Sequence, residues 1–308
     1  MAGFTQTWAG EASNWECDEL GHLNMRHYVY KASEARQFLC ILLGLAYAFK
    51  AGAQASVDVK EFHIVYMSEA RPGAPLTYES AITQMDESEL TAVHIMRHFN
   101  GRPACVITER LVHVSRRTGQ AFPWPSRLLK RAKNHMADAP DFSIARGLDA
   151  QKPSQPITLE RADNLGMSRL GMGVFQPDEA DIFGRVTAGA IMGRVTQTVG
   201  QFTKAWPENF DDKGVIETPI HGALFEARVI FGAQMLPGDG YIFCSGIESV
   251  NKNVRSLVHK MFSPITGEVF ASMQGVAGLM DLKLRKHVKT SGENLKNLNA
   301  LIIKDLSI

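Results

Sequence analysis

The feature that most restricts how these 308 residues can fold is a repeat within the chain. Asp18-Glu19-Leu20-Gly21-His22-Leu23 has the form D-x-Φ-G-x-Φ, where Φ is apolar, and Asp181-Ile182-Phe183-Gly184-Arg185-Val186 has the same form 163 positions later. The residues after each copy also match. Met25, Tyr28, Val29, Ala32, Ala35, Leu39, Leu42 and Leu43 recur at the same offset as Ala188, Ile191, Met192, Val195, Thr198, Phe202, Ala205 and Trp206. Steps of three and four residues mark one face of a helix, so each copy predicts a helix with the same buried stripe. Later in the chain, at an offset of 165, Glu61-Phe62-His63-Ile64-Val65-Tyr66 faces Glu226-Ala227-Arg228-Val229-Ile230-Phe231. Pro72-Gly73 faces Pro237-Gly238, and His94 and Met96 face His259 and Met261. Matches in order at a nearly constant offset point to a duplicated domain, and a period this long does not fit a solenoid of small repeats.

Each half reads as strand, loop, long helix and four antiparallel strands. In the first half the strands are predicted over about 56–66, 75–85, 89–99 and 103–115, all rich in Val, Ile, Thr, Tyr and Phe. Extended stretches, Phe4 to Trp15 and Met167 to Phe175, precede the two motifs. Asn100-Gly101 is a hairpin signal, and its counterpart is the longer Pro264-Ile265-Thr266-Gly267. The helices are predicted over 25–45 and 188–206. A helix this apolar must be covered on most sides, so each sheet is expected to curl around its helix. Ser126 to Met136 is a basic helical pattern, and Ala137 to Glu160 carries three prolines and many polar residues, as linkers do. The expected domains are 1–150, including the basic helical linker from about 126, and 151–308 with its C-terminal tail. The tail ends in an apolar stretch, LNALIIKDLSI, that suits a short docking helix.

Composition removes several other readings. Hydrophobic residues make up 45% and charged residues 21%, which suits a packed core and not a disordered chain. The longest apolar run, Phe38 to Phe49, is too short to span a bilayer. A net charge of +1 gives no strong field for nucleic acid. The start lacks a basic and then apolar leader, so no secretory signal is expected. Cys17, Cys40, Cys105 and Cys244 form no CxxC pair, which argues against a zinc or redox site and for a reduced, cytoplasmic setting. There is no GxSxG, HExxH or GxxxxGK[ST] motif. No metal and no cofactor is expected.

Asp18, Gly21, His22, Asn24 and Tyr28, followed by Ser33-Glu34-Ala35-Arg36 on the long helix, form the pattern D-x-x-G-H-x-N-x-x-x-Y. With four strands after it, this resembles the hotdog-fold thioesterases of the 4-hydroxybenzoyl-CoA thioesterase type. The resemblance covers about 120 residues of the first half. It is weaker over 167–285, where Arg185, Thr187 and Ile191 stand for His22, Asn24 and Tyr28. It implies an α+β double hotdog, each half a long central helix wrapped by a five-stranded antiparallel sheet. It also implies an acyl-CoA thioesterase, with Asp18 at the place of the family's working aspartate; His22 beside it is, from its position alone, a second catalytic candidate that would orient Asp18 or water. The substrate would be an acyl-CoA or an acyl carrier protein thioester. Neither nucleic acid nor membrane is an expected partner, and a homodimer of double hotdogs is compatible with the pattern.

The chemistry supports that reading independently. A thiol leaving group has a pKa of ~8.5 and departs without a strong general acid. One carboxylate and one set of N–H donors therefore suffice. Asp18 precedes a helix start, where N–H groups are unpaired and the dipole is positive. The N–H groups near Asn24 and Met25 are candidates to polarise a thioester carbonyl, Gly21 lets the backbone approach, and Asp18 either attacks or activates water. Plain structural roles compete at each position: Asp18 or Asn24 as helix caps, His22 as a hydrogen-bonded loop residue, Tyr28 as core, Glu34 and Arg36 as an ion pair. Arg116 and Arg117, at a strand exit, are candidates for the nucleotide phosphates. Asp181 with Arg185 reads as a divergent pseudo-site, making an ion pair or a phosphate contact. Two other functions remain open: a hydratase or dehydratase on acyl thioesters, and a non-catalytic acyl-CoA binder.

Overall fold

The computed structural model describes residues 3–205, 220–281 and 283–308. The chain divides into two compact units, residues 1–144 with 181–193, and residues 145–180 with 194–308. A single cut near 150 therefore misses one exchange: the second D-x-Φ-G motif packs within the first unit.

In the first unit, β1 (Thr5–Glu11), α1 (Met25–Leu42), β2 (Ala55–Tyr66), β3 (Pro75–Met85), β4 (Glu89–His98) and β5 (Pro103–Ser115) follow the predicted order within a residue or two, apart from the ends of β1 and α1. The strand order is β1-β3-β4-β5-β2, antiparallel throughout. β1 stops short of Trp15 because Ser13 and Glu16 bracket a short 3-10 turn, Asn14–Glu16. The β4–β5 turn spans one residue more than the Asn-Gly signal suggests. The His98 N–H donates to the Arg102 carbonyl, and Gly101 takes φ 80 to close the loop.

Helix α1 packs on β1, β3, β4 and β5. Val29, Ala32, Ala35 and Leu39 make its buried stripe, and the two alanines let the helix lie close to the sheet. Gly44, at φ 95, ends it with an N–H bond to the Ile41 carbonyl. The cover is less complete than the composition suggests, since Tyr30, Phe38 and Ile41 stay about half exposed. The basic pattern from 126 is helical, α2 (Ser126–Ala132), but it is no free linker. Its Leu128 and Ala132 join Leu39, Leu43, Ile82 and Trp124 in the core of the first unit.

In the second unit, β6 (Ser168–Val174), β7 (Ile220–Phe231), β8 (Gly240–Val250), β9 (Arg255–Phe262) and β10 (Val269–Asp281) repeat the order as β6-β8-β9-β10-β7. A short strand that the sequence pattern does not signal, β11 (Lys286–Val288), adds to β10. The predicted helix over 188–206 is shorter. Helix α4 (Ala188–Thr198) gives way to a 3-10 segment, Val199–Lys204, and Trp206 lies outside the described residues. The Thr198 hydroxyl donates back to the Val195 carbonyl, and Gly200 comes next but one, both unfavourable to a continuing helix.

The polar segment after 144 is tied down. The Arg146 and Gly147 N–H groups donate to the Glu226 carboxylate, and Arg228 donates to the carbonyl of Lys152. Helix α3 (Leu159–Asn164) and the tail helix α5 (Gly292–Ala300) obey the same logic. Ala162 of α3 and Leu306, beyond the end of α5, pack with Met167, Cys244, Val258 and Phe262.

Candidate active site

The first motif is a closed turn hung in front of α1. The Asp18 N–H donates to the His22 carbonyl at 2.9 Å, and the Gly21 N–H donates to the Asp18 carbonyl at 3.0 Å. Gly21 has φ 76, a conformation that a side chain would strain. The Leu20 N–H donates to Asp18 Oδ1 at 3.0 Å, and His22 Nδ1 lies 3.2 Å from Oδ2. Both carboxylate oxygens are therefore held locally, and Asp18 caps its own turn, not the helix.

The helix cap is Asn24, whose side chain accepts from the Arg26 N–H at 3.0 Å. The His27 N–H donates to the Asn24 carbonyl. Among the described residues the Met25 N–H has no acceptor, which leaves one donor at the positive end of α1. Asp18, Gly21 and His22 thus form one turn, and Asn24 and Met25 begin the helix that follows it.

Tyr28 lies in the core, within reach of the Asp18 charge. It is buried, its hydroxyl accepts from the Ala70 N–H, and its carbonyl accepts from the Tyr78 hydroxyl at 2.9 Å. Burial pushes its phenol well above the ordinary range. Cys17 is half-buried, and burial, then Asp18 and Glu16, raise its thiol. A raised thiol is a poor nucleophile at neutral pH.

The second motif has the same hydrogen bonds. The Asp181 N–H donates to the Arg185 carbonyl at 2.7 Å, the Phe183 N–H donates to Asp181 Oδ1 at 2.8 Å, and Gly184 has φ 72. The fifth residue differs. Arg185 donates one guanidinium nitrogen to Asp181 Oδ2 at 3.2 Å and another to Asp58 Oδ2 at 2.6 Å. Arg116 joins this cluster and not the Asp18 turn. Its guanidinium lies 4.1 Å from the Phe183 ring centroid and 4.0 Å from Asp58. Two arginines face two aspartates, so the cluster balances its own charge. Arg117 is exposed.

The sequence reading missed two ion pairs that flank these motifs along the chain. Glu16 Oε1 accepts from Lys31 Nζ at 2.7 Å, and Glu179 pairs with Arg194. Both members of each pair lie 163 positions from their counterparts, so the repeat itself carries the signal. Arg36 also pairs where the sequence could not show it. Its partner is Glu109 on β5, at 2.7 Å, while Glu34 is exposed. Among the described residues, no cluster of three His, Cys, Asp or Glu could hold a metal, and no helix is long and apolar enough to cross a membrane.

Comparison with known proteins gives this geometry a context. Residues 13–132 match the model of the Thioesterase-like superfamily. A curated relative from Agrobacterium fabrum, an L-carnitine dehydrogenase/betainyl-CoA thioesterase, is 27% identical over 119 residues. That match takes in 39% of this chain and only 24% of the relative, so the chain spans about a quarter of its length. An acyl-ACP thioesterase from Bacteroides thetaiotaomicron superimposes with a TM-score of 0.65 at 10% identity, over 89% of this chain and 98% of that one. A protein from Lactobacillus plantarum assigned as an oleoyl thioesterase gives 0.66 at 13%, over 90% and 98%. At these identities the structural likeness concerns the fold.

Proposed function

We propose that this chain is a hotdog-fold thioesterase that hydrolyses an acyl thioester to the free acid and a thiol, a reading supported by the match of residues 13–132 to the Thioesterase-like superfamily. The whole chain is a tandem double hotdog in this reading, with one working site at the Asp18 turn. The observation that carries the proposal is the Asp18–His22 turn set before the Met25 N–H of α1, which has no acceptor among the described residues.

The reaction needs three things from these residues. The Met25 N–H stabilises charge on the thioester carbonyl oxygen as the tetrahedral oxyanion develops. Asp18 Oδ2 either takes a proton from the water that attacks that carbonyl, or attacks it itself to form a mixed anhydride that water then hydrolyses to the free acid. His22 orients Oδ2, and the Leu20 N–H fixes Oδ1, so the carboxylate does not turn away. The thiolate leaves on its own, given a conjugate acid of pKa ~8.5.

The substrate class is an acyl-CoA or an acyl carrier protein thioester. The Agrobacterium fabrum relative is named for a betainyl-CoA, and the Bacteroides thetaiotaomicron protein for acyl carrier protein substrates. Thiol release from a panel of acyl-CoA and acyl carrier protein thioesters tests the proposal, with loss of crotonyl-CoA absorbance monitored alongside. Thiol release is the expected result. Hydration of crotonyl-CoA without thiol release would assign a hydratase, and tight binding without either reaction would assign a binding protein.

A further inference from the structure

We infer that the buried Glu16–Lys31 pair is a positioning device that holds the Asp18 turn to α1; this rests on the reading of Asp18 as the reacting carboxylate. Glu16 closes the 3-10 turn just before the motif and is joined to its surroundings through both carboxylate oxygens and its carbonyl. Its Oε2 accepts from the Ser13 N–H at 2.9 Å, and its Oε1 accepts from Lys31 Nζ at 2.7 Å. Its carbonyl accepts from the Asn24 N–H at 3.0 Å, and His27 Nδ1 lies 3.6 Å from Oε1. The loop from Cys17 to Leu23 therefore leaves from Glu16 and returns beside it.

Lys31 reaches back from the second turn of α1, with its ammonium 4.9 Å from the Trp8 ring centroid of β1. The two side chains are 7% and 12% exposed. Lysine is rarely buried without a partner, and here Glu16 and the Trp8 face supply one each. The pair thereby fixes β1, the 3-10 turn and α1 to one another at the point where Asp18 must meet the Met25 N–H. The bonds inside the Asp18 turn do not involve the pair. Breaking it leaves the turn intact but loosens its attachment, which displaces the carboxylate relative to the helix start.

The repeat strengthens the inference. The second copy keeps an acid and a base at the same two positions, as Glu179 and Arg194, and the Gln176 N–H donates to Glu179 Oε2 at 2.8 Å as Ser13 does to Glu16. Arg194 also lies by a ring, 5.2 Å from the Tyr241 centroid, although that ring is on β8 and the position matching Trp8 is Gly171. The copies have lost identity at the motif's His and Asn, yet both retain this pair.

The experiment compares Lys31→Met, Lys31→Arg and Arg194→Met in the full chain, by steady-state thiol release and thermal unfolding, with Asp18→Asn alongside. Misplacement of a reacting group lowers kcat more than it alters substrate binding. Lys31→Met is expected to lose on the order of tenfold in kcat with KM changed by about twofold at most. Lys31→Arg, the base used in the second copy, restores most of that. Arg194→Met lowers the melting temperature comparably but leaves kcat at the wild-type value. If Lys31→Met does not fold, the Glu16→Gln/Lys31→Met double variant removes both charges and is read in the same way. Wild-type kcat in a folded Lys31→Met or double variant overturns the inference, as does an equal loss of kcat in Arg194→Met. Full activity in Asp18→Asn instead overturns the assignment of Asp18, which is a separate failure.

Discussion

In the first copy of the repeat Asp18 is held by a backbone N–H and by His22; in the second, Asp181 is held by the equivalent N–H and by Arg185, which also binds Asp58. The backbone of the turn is common to both, down to the positive φ of Gly21 and Gly184. One side chain separates a turn that presents a carboxylate with an imidazole from one that closes it in an ion-pair cluster. Burial works against the Arg185 charge, but Asp58 and Asp181 more than offset it and raise the guanidinium further. The D-x-Φ-G pattern thus specifies a turn, and the fifth residue decides what the turn can do.

The cores under the two helices differ in the same manner. Ser80 and His94 on one side, and Ser245 and His259 on the other, form equivalent buried pairs at 2.6 and 2.7 Å. In the first unit the relay continues to Glu109 and Arg36. In the second, His259 is stacked by Phe202 and Phe243.

The largest effect that would break this comparison is Arg36→Met. It strands a buried Glu109, and losing one partner of a buried pair costs about 3–5 kcal/mol. Denaturant unfolding should show a loss of that order, while Val199→Met, at the matching position of the second copy, costs under about 1 kcal/mol, as expected outside the core. A loss below about 1 kcal/mol in Arg36→Met would mean that the relay is incidental.

Acid should separate the units next. Burial alone pushes Glu109 up, but Arg36 and His94 overcome this and hold its carboxyl at about 2. Its contribution to stability is present above the ordinary value of 4.5 and is lost as pH falls from there through about 2. Burial lowers His259 from 6.5 to about 4, so the unfolded chain binds that proton more readily, and stability falls as pH drops from 6.5 to about 4. Hydrogen exchange measured from pH 7 downward should show the second unit losing protection first. The opposite order would remove the distinction between the two cores.

The smallest effect is expected at Cys17. Burial, with Asp18 and Glu16 beside it, raises its thiol, which makes it a poor nucleophile at neutral pH. Cys17→Ser should keep kcat within about twofold, a change of no more than a few tenths of a kcal/mol. Abolished turnover in a folded variant would shift the chemistry to sulfur.

Much of the fold was legible in the sequence, for identifiable reasons. The strand limits 75–85 and 103–115 are met because β-branched runs there end at Pro, Gly or turn residues. Helix α1 keeps to its apolar spacing as far as Leu42, and Asp18, Gly21 and His22 form the turn before it. What could not be read depends on partners far along the chain. Arg36 meets Glu109 only once β5 lies under the helix, and Arg116 is covered only because Phe183 docks on it. The Glu16–Lys31 pair was readable in principle, since the repeat holds both positions, but an acid and a base so far apart along the chain form no local pattern.

Steady-state kinetics of Asp18→Asn and Asp181→Asn with the best acyl thioester found, both variants being verified as folded, test the division between the two turns most directly. Asp18→Asn should lose ~10²-fold or more in kcat, the low end for removing a positioned base. Asp181→Asn should lose well under ~10-fold, with some loss of stability from the weakened clasp to Arg185. Equal losses would mean two working sites or a shared one, and a larger loss at Asp181 would contradict the assignment of the first turn as the active one.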